Sequence, residues 1–503
     1  MASRRDELNA YTFAKRRLVA QFLQPNPSGT EEGAPKPLRA VMPGAIVGVV
    51  VLAVFGAWGM FKPVAPPGWD KPGENVIVAD ESTTRYVVLK TGDKVQLHPV
   101  LNMASAKLLL RSDADGKVVT VKEKLLDNSK LRHGPTIGIP YAPDRLPSAD
   151  DAGQAKRWAV CERPGAGGRD IEKAAFVLAE REQHRTDGKQ RLKGGQLLYV
   201  EDADQVRYLV DAKGVAYQVD KADRVLMQTL VGSGSKPQRV SDEWLATLDK
   251  GDPVRTPALP DRPGTASQVP GGYKVGTVLR TGEASEQRQY VVLKDRLAPV
   301  SDFMAEVLLN SKALAVVGQG GEPKSVGVGE LGSEPGAAFD LGLKWPQDAP
   351  DPVNEAGSRD TVCSVLRGVD RDTGETTLST WAGESFPMPL SNGGSSAYVT
   401  PGTGLLFRQV MGEDTKSGPM FLVTDTGLRY AMQANGDTAT DDAGIGESGS
   451  AKEREEQQAQ QQDAQSRLDY EGVEPTPVPA AWSTFLPTGP RLSAGAARQP
   501  QGS

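Results

Sequence analysis

Two stretches of the chain carry the same pattern of apolar and polar residues: LHPVLNMASAKLLL at 97–110 and LAPVSDFMAEVLLN at 297–310. Each follows a copy of the tetrapeptide YVVL, at 86–89 and at 290–293. Short runs rich in Val and Leu predict strands, and the polar residue before each later apolar run predicts a helix start. The match indicates an internal duplication of a strand-and-helix unit.

Two further stretches match each other. They are YLVDAKGVAYQV at 208–219, between the first two copies, and FLVTDTGLRYAM at 421–432, after both of them. Each predicts strand, tight turn and strand, with Gly214 and Gly427 supplying the positive φ that such turns need. The string VSDEWLA (240–246) matches VSDFMA (300–305), where a Ser-Asp cap opens a helix. We therefore expect four related modules of hairpin plus short helix, near 81–111, 195–251, 281–311 and 402–434.

The stretches between the modules are not copies of one another. These are residues 112–194, 252–280 and 312–401, and we expect them to form a β-rich central domain. The expected fold class is mainly β with short helices (α+β): an elongated domain over 81–440, in which four repeat modules surround the central domain. The two halves would be related by a pseudo-two-fold axis.

The chain has two cysteines, and each lies in an unrepeated stretch of one half. They are Cys161 in RWAVCERPG and Cys363 in DTVCSVLRG. Outside the cytoplasm two such residues are expected to form a disulfide. Two inert buried thiols are the alternative.

Residues 40–61, AVMPGAIVGVVVLAVFGAWGMF, contain no charge. As a helix this segment would extend roughly 33 Å, enough to span a hydrocarbon core of about 30 Å once. Val41 stands near its start, and Trp58 and Phe61 stand near its end, where aromatic residues favour the interface. We expect a single-pass membrane anchor, followed by a Pro-rich linker at 62–80. A cleaved secretory signal is the alternative, but 39 residues precede the apolar run.

The charge distribution predicts the orientation of the anchor. The whole chain carries a formal net charge of −6, but residues 1–39 hold seven Lys/Arg and four Asp/Glu. By the positive-inside rule the N-terminus is then cytoplasmic and the large C-terminal domain extracytoplasmic. The mean hydropathy of −0.40 excludes a many-pass membrane protein.

The N-terminal tip predicts a short amphipathic helix. Ser3 and Asp6 form a capping-box pattern, and apolar residues follow at roughly helical spacing. These are Leu8, Tyr11, Leu18, Phe22 and Leu23. Such a helix would attach to a partner subunit or to anionic headgroups. The alternative is a solvated segment that only determines topology.

The composition of residues 441–503 predicts a C-terminal tail with two different parts. Residues 441–471 hold nine acidic and three basic residues around a Gln-rich run, which is typical of a helical or disordered solvated segment. Trp482, Phe485, Leu486 and Leu492 follow among prolines. Four large apolar side chains suggest that this part packs back onto a surface, with a free tail as the alternative.

Few sequence patterns indicate a catalytic, nucleotide-binding or metal-binding site. No G-x-x-x-x-G-K-[ST] phosphate loop occurs, and the string Gly232-Ser-Gly-Ser-Lys236 lacks its first glycine and its final Ser/Thr. Gly327-x-Gly329-x-x-Gly332 is not followed by an apolar helix, as a dinucleotide site requires. The three histidines lack metal-ligand spacing. We therefore expect no catalytic residue, cofactor or metal, and the acidic balance argues against nucleic acid.

Several motifs together resemble one known family. They are DELNAYTFAKRRLVAQFL (6–23), GPTIGIPYAPDRLP (134–147), the two cysteines, the fourfold modules and LPTGPRLS (486–493). In combination with the single anchor, they resemble the EccB family, membrane components of the actinobacterial type VII (ESX) secretion machinery. The likeness covers nearly the whole chain.

This resemblance implies a structural core subunit of a secretion complex in the cell membrane. Its implied partners are EccC, EccD and EccE, a mycosin protease and other EccB copies, which would make a homo-oligomer through the extracytoplasmic domain. It also implies that Leu8, Tyr11, Phe13, Arg16 and Arg17 carry cytoplasmic docking. Two alternatives stay open: a nucleotide hydrolase, since family members have been labelled ATPases, and a cell-wall-binding anchor.

Overall fold

The computed structural model describes residues 3–23, 38–61, 65–92, 94–114, 116–165, 167, 170–220, 223–282, 287–331, 335–339, 341–354, 358–390, 396–412, 414–432 and 462–501. The chain divides into two compact units. The first comprises Met1–Trp69, Ala79–Ser82 and Thr120–Ser129, and the second comprises the remainder. Residues 24–37, part of the predicted Pro-rich linker and most of the acidic Gln-rich segment lie outside the described residues.

Two helices in the described part of the chain are long, and the others are short. They are α1 (Arg4–Leu23), α2 (Leu38–Phe61), α3 (Met103–Leu108), α4 (Glu123–Asp127), α5 (Ala149–Gly153), α6 (Arg224–Val231), α7 (Asp242–Leu245), α8 (Asp302–Leu309), α9 (462–467), α10 (Ala480–Ser483) and α11 (Ala494–Ala497).

Most of the regular structure consists of strands. The first twelve are β1 (Asn75–Ala79), β2 (Arg85–Thr91), β3 (Lys94–Val100), β4 (Lys117–Val121), β5 (Arg132–His133), β6 (Arg157–Pro164), β7 (Ile171–Leu178), β8 (Gln196–Glu201), β9 (Arg207–Asp211), β10 (Val215–Val219), β11 (Gln238–Arg239) and β12 (Asp249–Lys250). The others are β13 (Val278–Thr281), β14 (Arg288–Val292), β15 (Leu297–Val300), β16 (Lys324–Ser325), β17 (Asp351–Pro352), β18 (Thr361–Val369), β19 (Thr376–Gly383), β20 (Ala397–Val399), β21 (Gly404–Val410), β22 (Met420–Thr424), β23 (Arg429–Ala431) and β24 (Thr476–Pro479). The fold is thus mixed, with mostly strands and short helices, as the sequence predicts.

The first unit contains α1, α2 and α4. The start of α4 is bonded to the residue that follows β1, since the carboxylate of Asp80 accepts a hydrogen bond from the backbone N–H of Glu123 at 3.2 Å. The backbone N–H of Asp80 donates to the carbonyl of Val121 at 3.1 Å. In the described part of the chain, no helix is both long enough and apolar enough to cross a membrane.

Four sheets of the second unit are each built on three consecutive antiparallel strands. They are β1-β2-β3, β8-β9-β10, β13-β14-β15 and β21-β22-β23. In three of them a later strand returns parallel to the first strand of the set: β11 on β8, β16 on β13 and β24 on β21. The tight turns are as predicted, because Gly214 (φ 83°) and Gly427 (φ 79°) occupy the left-handed region that glycine allows.

The capping serines lie where the sequence predicts them. Ser241 accepts a hydrogen bond from the backbone N–H of Trp244 at the start of α7, and Ser301 accepts one from Met304 at the start of α8. In the second set of strands, however, the longer helix is α6, which directly follows β10. The predicted helix at 240–246 is the four-residue α7, which instead follows β11.

A fifth sheet, called the central sheet below, has the strand order β19-β18-β6-β7-β20 and shares a hydrophobic core with the second and fourth sets of strands. It consists of two hairpins, β6-β7 and β18-β19, which meet along β6 and β18, and of β20, which pairs in parallel with β7. These strands come from the predicted central stretches 112–194 and 312–401. By contrast, Val269 and Tyr273, from 252–280, pack with Leu279 and Tyr290 of the third set of strands.

The C-terminal residues form part of the second unit. Strand β24 pairs with β21, and Trp482, Leu486 and Leu492 are buried. Trp482 packs in the same core as Trp158 of the central sheet. The apolar residues of the predicted tail therefore do pack back onto the body of the protein.

Candidate assembly sites

The N-terminal end of α1 is capped as the sequence predicts. The backbone N–H of Ser3 donates to the carboxylate of Asp6 at 3.2 Å, and the Ser3 hydroxyl accepts a bond from the N–H of Arg5 at 3.3 Å. The carbonyl of Ser3 also accepts from the N–H groups of Asp6 and Glu7. These bonds satisfy donors that a helix start otherwise leaves open, so α1 has a defined beginning.

Several large apolar side chains of α1 are exposed to solvent. The exposed fraction is 68% for Tyr11 and 89% for Phe22. The other exposed large apolar residues of this helix are Leu8, Phe13, Leu18 and Val19. A monomeric soluble protein seldom exposes so much apolar surface in one place, which makes α1 a candidate interface.

The predicted docking residues do not share one face of α1. Leu8 and Tyr11 are three residues apart and lie on one side. Phe13, Arg16 and Arg17 are exposed as well, but at 3.6 residues per turn they point to other sides of the helix. The structure therefore brings together only part of the predicted set.

The predicted anchor residues lie on α2, which runs for 24 residues. Val41 is exposed. The side chains of Trp58 and Phe61 lie outside the described residues. Pro43 is within the first two turns, where α2 continues through it.

The two cysteines form a disulfide at the middle of the central sheet, as predicted. Cys161 on β6 pairs in register with Cys363 on β18, and both are fully buried. Around them lie Phe176, Val365 and Trp381. The bond therefore joins the two hairpins of the central sheet. Its two cysteines are 202 residues apart in the sequence.

A carboxylate shared by two arginines lies near one end of the same strands. Asp187 accepts hydrogen bonds from Arg157 of β6 at 2.8 Å and from Arg367 of β18 at 2.7 Å. Burial alone would raise the pKa of Asp187, but the bonds from Arg367 and Arg157 outweigh it and hold that pKa below its usual range. Sequence reasoning missed this cluster because its members are distant along the chain.

A buried carboxylate fixes α7 against the central sheet. Glu162, beside Cys161 on β6, is fully buried and accepts bonds from the backbone N–H of Ser241 at 2.8 Å and from its hydroxyl at 2.5 Å. Burial raises the pKa of Glu162, although these bonds and the nearby Lys173 oppose the shift. Ser241 thus serves both as the cap of α7 and as the partner of a buried acid.

The one string that resembles a phosphate loop lies at the wrong end of a helix. Gly232 and Gly234 have positive φ and follow the last turn of α6, whereas a phosphate loop precedes a helix whose free N–H groups bind the anion. Lys236 is exposed. A cavity of about 1280 Å³ is lined by parts of 211–217, 246–251, 344–348, 372–376 and 479–482, and this string is not among them.

The remaining candidate patterns also stay apart. Gly332 lies outside the described residues, and Val328–Glu330 form a short 3-10 turn. His98 is buried and its Nδ1 is 3.1 Å from the carbonyl of Pro135, while His133 is exposed. Among the described residues no cluster of His, Cys, Asp or Glu could hold a metal ion.

The family model and the similar proteins all belong to one family. A family model described as "Type VII secretion system ESX-1, transport TM domain B", of the EccB family, matches residues 1–502. The chain is 27% identical, over 98% of its length and 89% of the relative's, to the "ESX-3 secretion system ATPase EccB3" of Mycolicibacterium smegmatis. It is 26% identical, over 80% of its length and 81% of the relative's, to the "ESX-1 secretion system ATPase EccB1" of the same species.

Solved structures show the same fold. The chain is similar to a chain in the structure of the EccB3 dimer from the ESX-3 core complex, with a TM-score of 0.56 and 26% identity, covering 84% of this chain and 99% of that one. It is also similar to a chain of an intact ESX-5 inner membrane complex, with a TM-score of 0.57 and 20% identity. That likeness covers 100% of this chain and 96% of the other.

Proposed function

Since this chain belongs to the EccB family of type VII secretion system components, we propose that it is a structural core subunit of an ESX complex in the cell membrane. In this role its cytoplasmic helix binds neighbouring subunits, its anchor crosses the membrane once and its large domain assembles outside. The observation that carries the proposal is the exposed apolar surface of the N-terminal helix α1. The family model matches the chain from residue 1 and so includes this helix.

The cytoplasmic contacts would be made by α1. Its apolar side chains are exposed in the chain alone, and burying one Leu or Phe side chain contributes about 1.5–3 kcal/mol. We propose Leu8, Tyr11, Phe13, Arg16 and Arg17 as contributors to this docking, with EccC, EccD and EccE as the neighbouring subunits.

Residues 40–61 would form the membrane anchor. Support comes from the 22 uncharged residues and from the exposed side chains of residues 41–56, which are apolar on every side of the helix. A helix that is apolar all round is typical of a membrane span. Val41, Trp58 and Phe61 would lie near its two ends, with the N-terminus in the cytoplasm.

The second unit would be the extracytoplasmic assembly domain. Support comes from the four similar sets of strands and from the Cys161–Cys363 disulfide, a bond typical of proteins outside the cytoplasm. The common strand order favours four duplicated modules, and the meeting of two hairpins at the disulfide favours a pseudo-two-fold relation between the halves. We propose that this domain binds other EccB copies and a mycosin protease.

Deletion of residues 1–23 tests the proposal. The tagged full-length chain and the deletion variant are expressed in cells that contain the other ESX components, and the membrane complex is purified through the tag. The deletion should abolish co-purification of EccC, while non-reducing peptide mapping still finds the Cys161–Cys363 bond. A matched control, Val225→Ser on the exposed face of α6, should leave co-purification unchanged. Unchanged co-purification of the deletion variant would contradict the proposal.

A further inference from the structure

Four of the six exposed large apolar residues of α1 follow a seven-residue repeat. Leu8, Tyr11, Leu18 and Phe22 are spaced by three, seven and four residues. With Leu8 in the first core position of a heptad, the core positions are 8, 11, 15, 18 and 22. This spacing is the seam of a coiled coil, in which one helix packs lengthwise against another.

The residue at the middle of this seam is Lys15. It lies seven residues after Leu8 and seven before Phe22, and is flanked along the stripe by Tyr11 and Leu18. A partner that covers the four apolar side chains must therefore also accept an ammonium group at the centre of the contact. A buried charge is costly unless an opposite charge pairs with it.

This placement disfavours a lipid surface as the occupant of the stripe. A helix lying in the membrane interface presents its basic residues on the polar side, whereas here Lys15 lies in the middle of the apolar side. The position of Lys15 therefore does not suit insertion of this stripe among acyl chains.

A parallel pair of α1 helices is disfavoured as well. In a parallel coiled coil of two identical helices the central core positions face each other. Lys15 of one copy would then lie against Lys15 of the other, and like charges repel. An acidic residue at the facing position removes this conflict. The helix has five basic and two acidic residues in all, which also favours an acidic partner.

We propose that α1 binds an amphipathic helix of another protein as a two-stranded coiled coil, and that this partner helix places an Asp or Glu opposite Lys15. The apolar stripe supplies the contact area and the Lys15 pair sets the register. This inference rests on the proposed cytoplasmic docking and specifies the chemistry of the partner.

Site-specific photo-cross-linking in the full-length chain tests this proposal. A benzoylphenylalanine is introduced singly at positions 8, 11, 18 and 22 of the stripe and, as matched controls, at 13 and 17 on other sides of α1. The cells contain the other ESX components, and cross-linked peptides are identified by mass spectrometry. The stripe positions should all cross-link to a single helical segment of one protein, with yields at least tenfold above those at 13 and 17. That segment should carry an acidic residue at its central core position.

Charge reversal gives the second arm of the test. Lys15→Glu should lower the cross-link yield from position 18 at least tenfold, and Lys15→Arg should preserve it. Reversing the partner's central acidic residue to Lys should restore the yield of Lys15→Glu. Cross-links to lipid, to a second copy of this chain or to a segment without the acidic residue would overturn the proposal, as would an unchanged yield in Lys15→Glu. If deletion of 1–23 abolishes co-purification while Lys15→Glu has no effect, the structural role stands and the coiled coil is excluded.

Discussion

Cys161 and Cys363 face each other across two neighbouring antiparallel strands, at the point where the two central hairpins of the protein meet. Their neighbours pair in the same register, Val160 with Ser364 and Glu162 with Val362. The disulfide therefore lies where the two hairpins meet, with one half of the central sheet on each side of it. Each half is continuous in sequence with two of the four sets of strands, so the bond links the part of the chain that holds the first two sets to the part that holds the last two.

Removing this bond should strongly destabilise the second unit. In the chain-entropy model, closing a loop of 202 residues lowers the entropy of the unfolded chain enough to contribute about 5 kcal/mol. We expect the variant with Cys161→Ser and Cys363→Ser to unfold at a markedly lower temperature, measured by circular dichroism on the full-length chain in detergent. Because both sulfurs are fully buried, a mild reductant should leave the folded protein oxidised. A double variant with an unchanged unfolding temperature would contradict this role.

Replacing Asp187 should weaken the contact that holds Arg157 and Arg367. We expect Asp187→Asn to lower the free energy of unfolding by about 1–2 kcal/mol, because the carboxylate is partly exposed and its ion pairs are partly screened. A control at an exposed site, Asp127→Asn, should change it by less than about 0.5 kcal/mol. Equal effects from the two variants would show that the shared carboxylate contributes nothing.

The Asp187 effect should also depend on pH. The pKa of this carboxyl is lower in the folded protein than its ordinary value of 3.8, so its contribution is present above pH 3.8 and is lost as the pH falls through the folded pKa. The difference in unfolding free energy between the wild type and Asp187→Asn should thus be constant at neutral pH and shrink in acid below 3.8. A difference that grows on acidification would contradict the proposed cause.

The two capping serines should differ in importance. Ser241→Ala removes the cap of α7 and leaves the buried Glu162 without its hydroxyl donor, so we expect a loss of about 2–3 kcal/mol in unfolding free energy. Ser301→Ala is the matched control, because Ser301 caps α8 without contacting a buried acid. It should cost about 1 kcal/mol, and equal losses would show that the Glu162 contact adds no stability.

Purified full-length chain should not hydrolyse ATP. Relatives carry the name ATPase, but the string Gly232–Lys236 follows the end of α6 rather than preceding a helix. Phosphate release should equal that of a buffer blank and be the same for Lys236→Ala. Turnover that Lys236→Ala abolishes would instead support the nucleotide hydrolase.

Local signals in the sequence predicted much of this fold. The turns at Gly214 and Gly427, the caps at Ser241 and Ser301 and the pairing of the cysteines all follow from the chemistry of single residues or of short stretches. Each could be predicted because its physical cause lies within a few residues of it, or, for the disulfide, because the chain offers no other cysteine.

Structure that depends on distant parts of the chain was harder to predict. Each expected hairpin has a third strand in front of it, such as β1 or β13, which the repeated motifs do not include. Strand β24 was missed because Pro477 and Pro479 are poor strand residues, tolerated here at the edge of a sheet. The Asp187 cluster joins residues from three separate segments, so no local pattern in the sequence indicates it.

In the topology that we propose, α1 and the large domain lie on opposite sides of the membrane as parts of one assembly subunit. Cysteines introduced singly at Asn9 and at Val225 test it directly, since both positions are exposed and the native cysteines are bonded to each other. With a membrane-impermeant maleimide on intact cells, we expect labelling at 225 and none at 9 until the cells are permeabilised. Equal labelling of both positions on intact cells, or labelling at 9 alone, would contradict it.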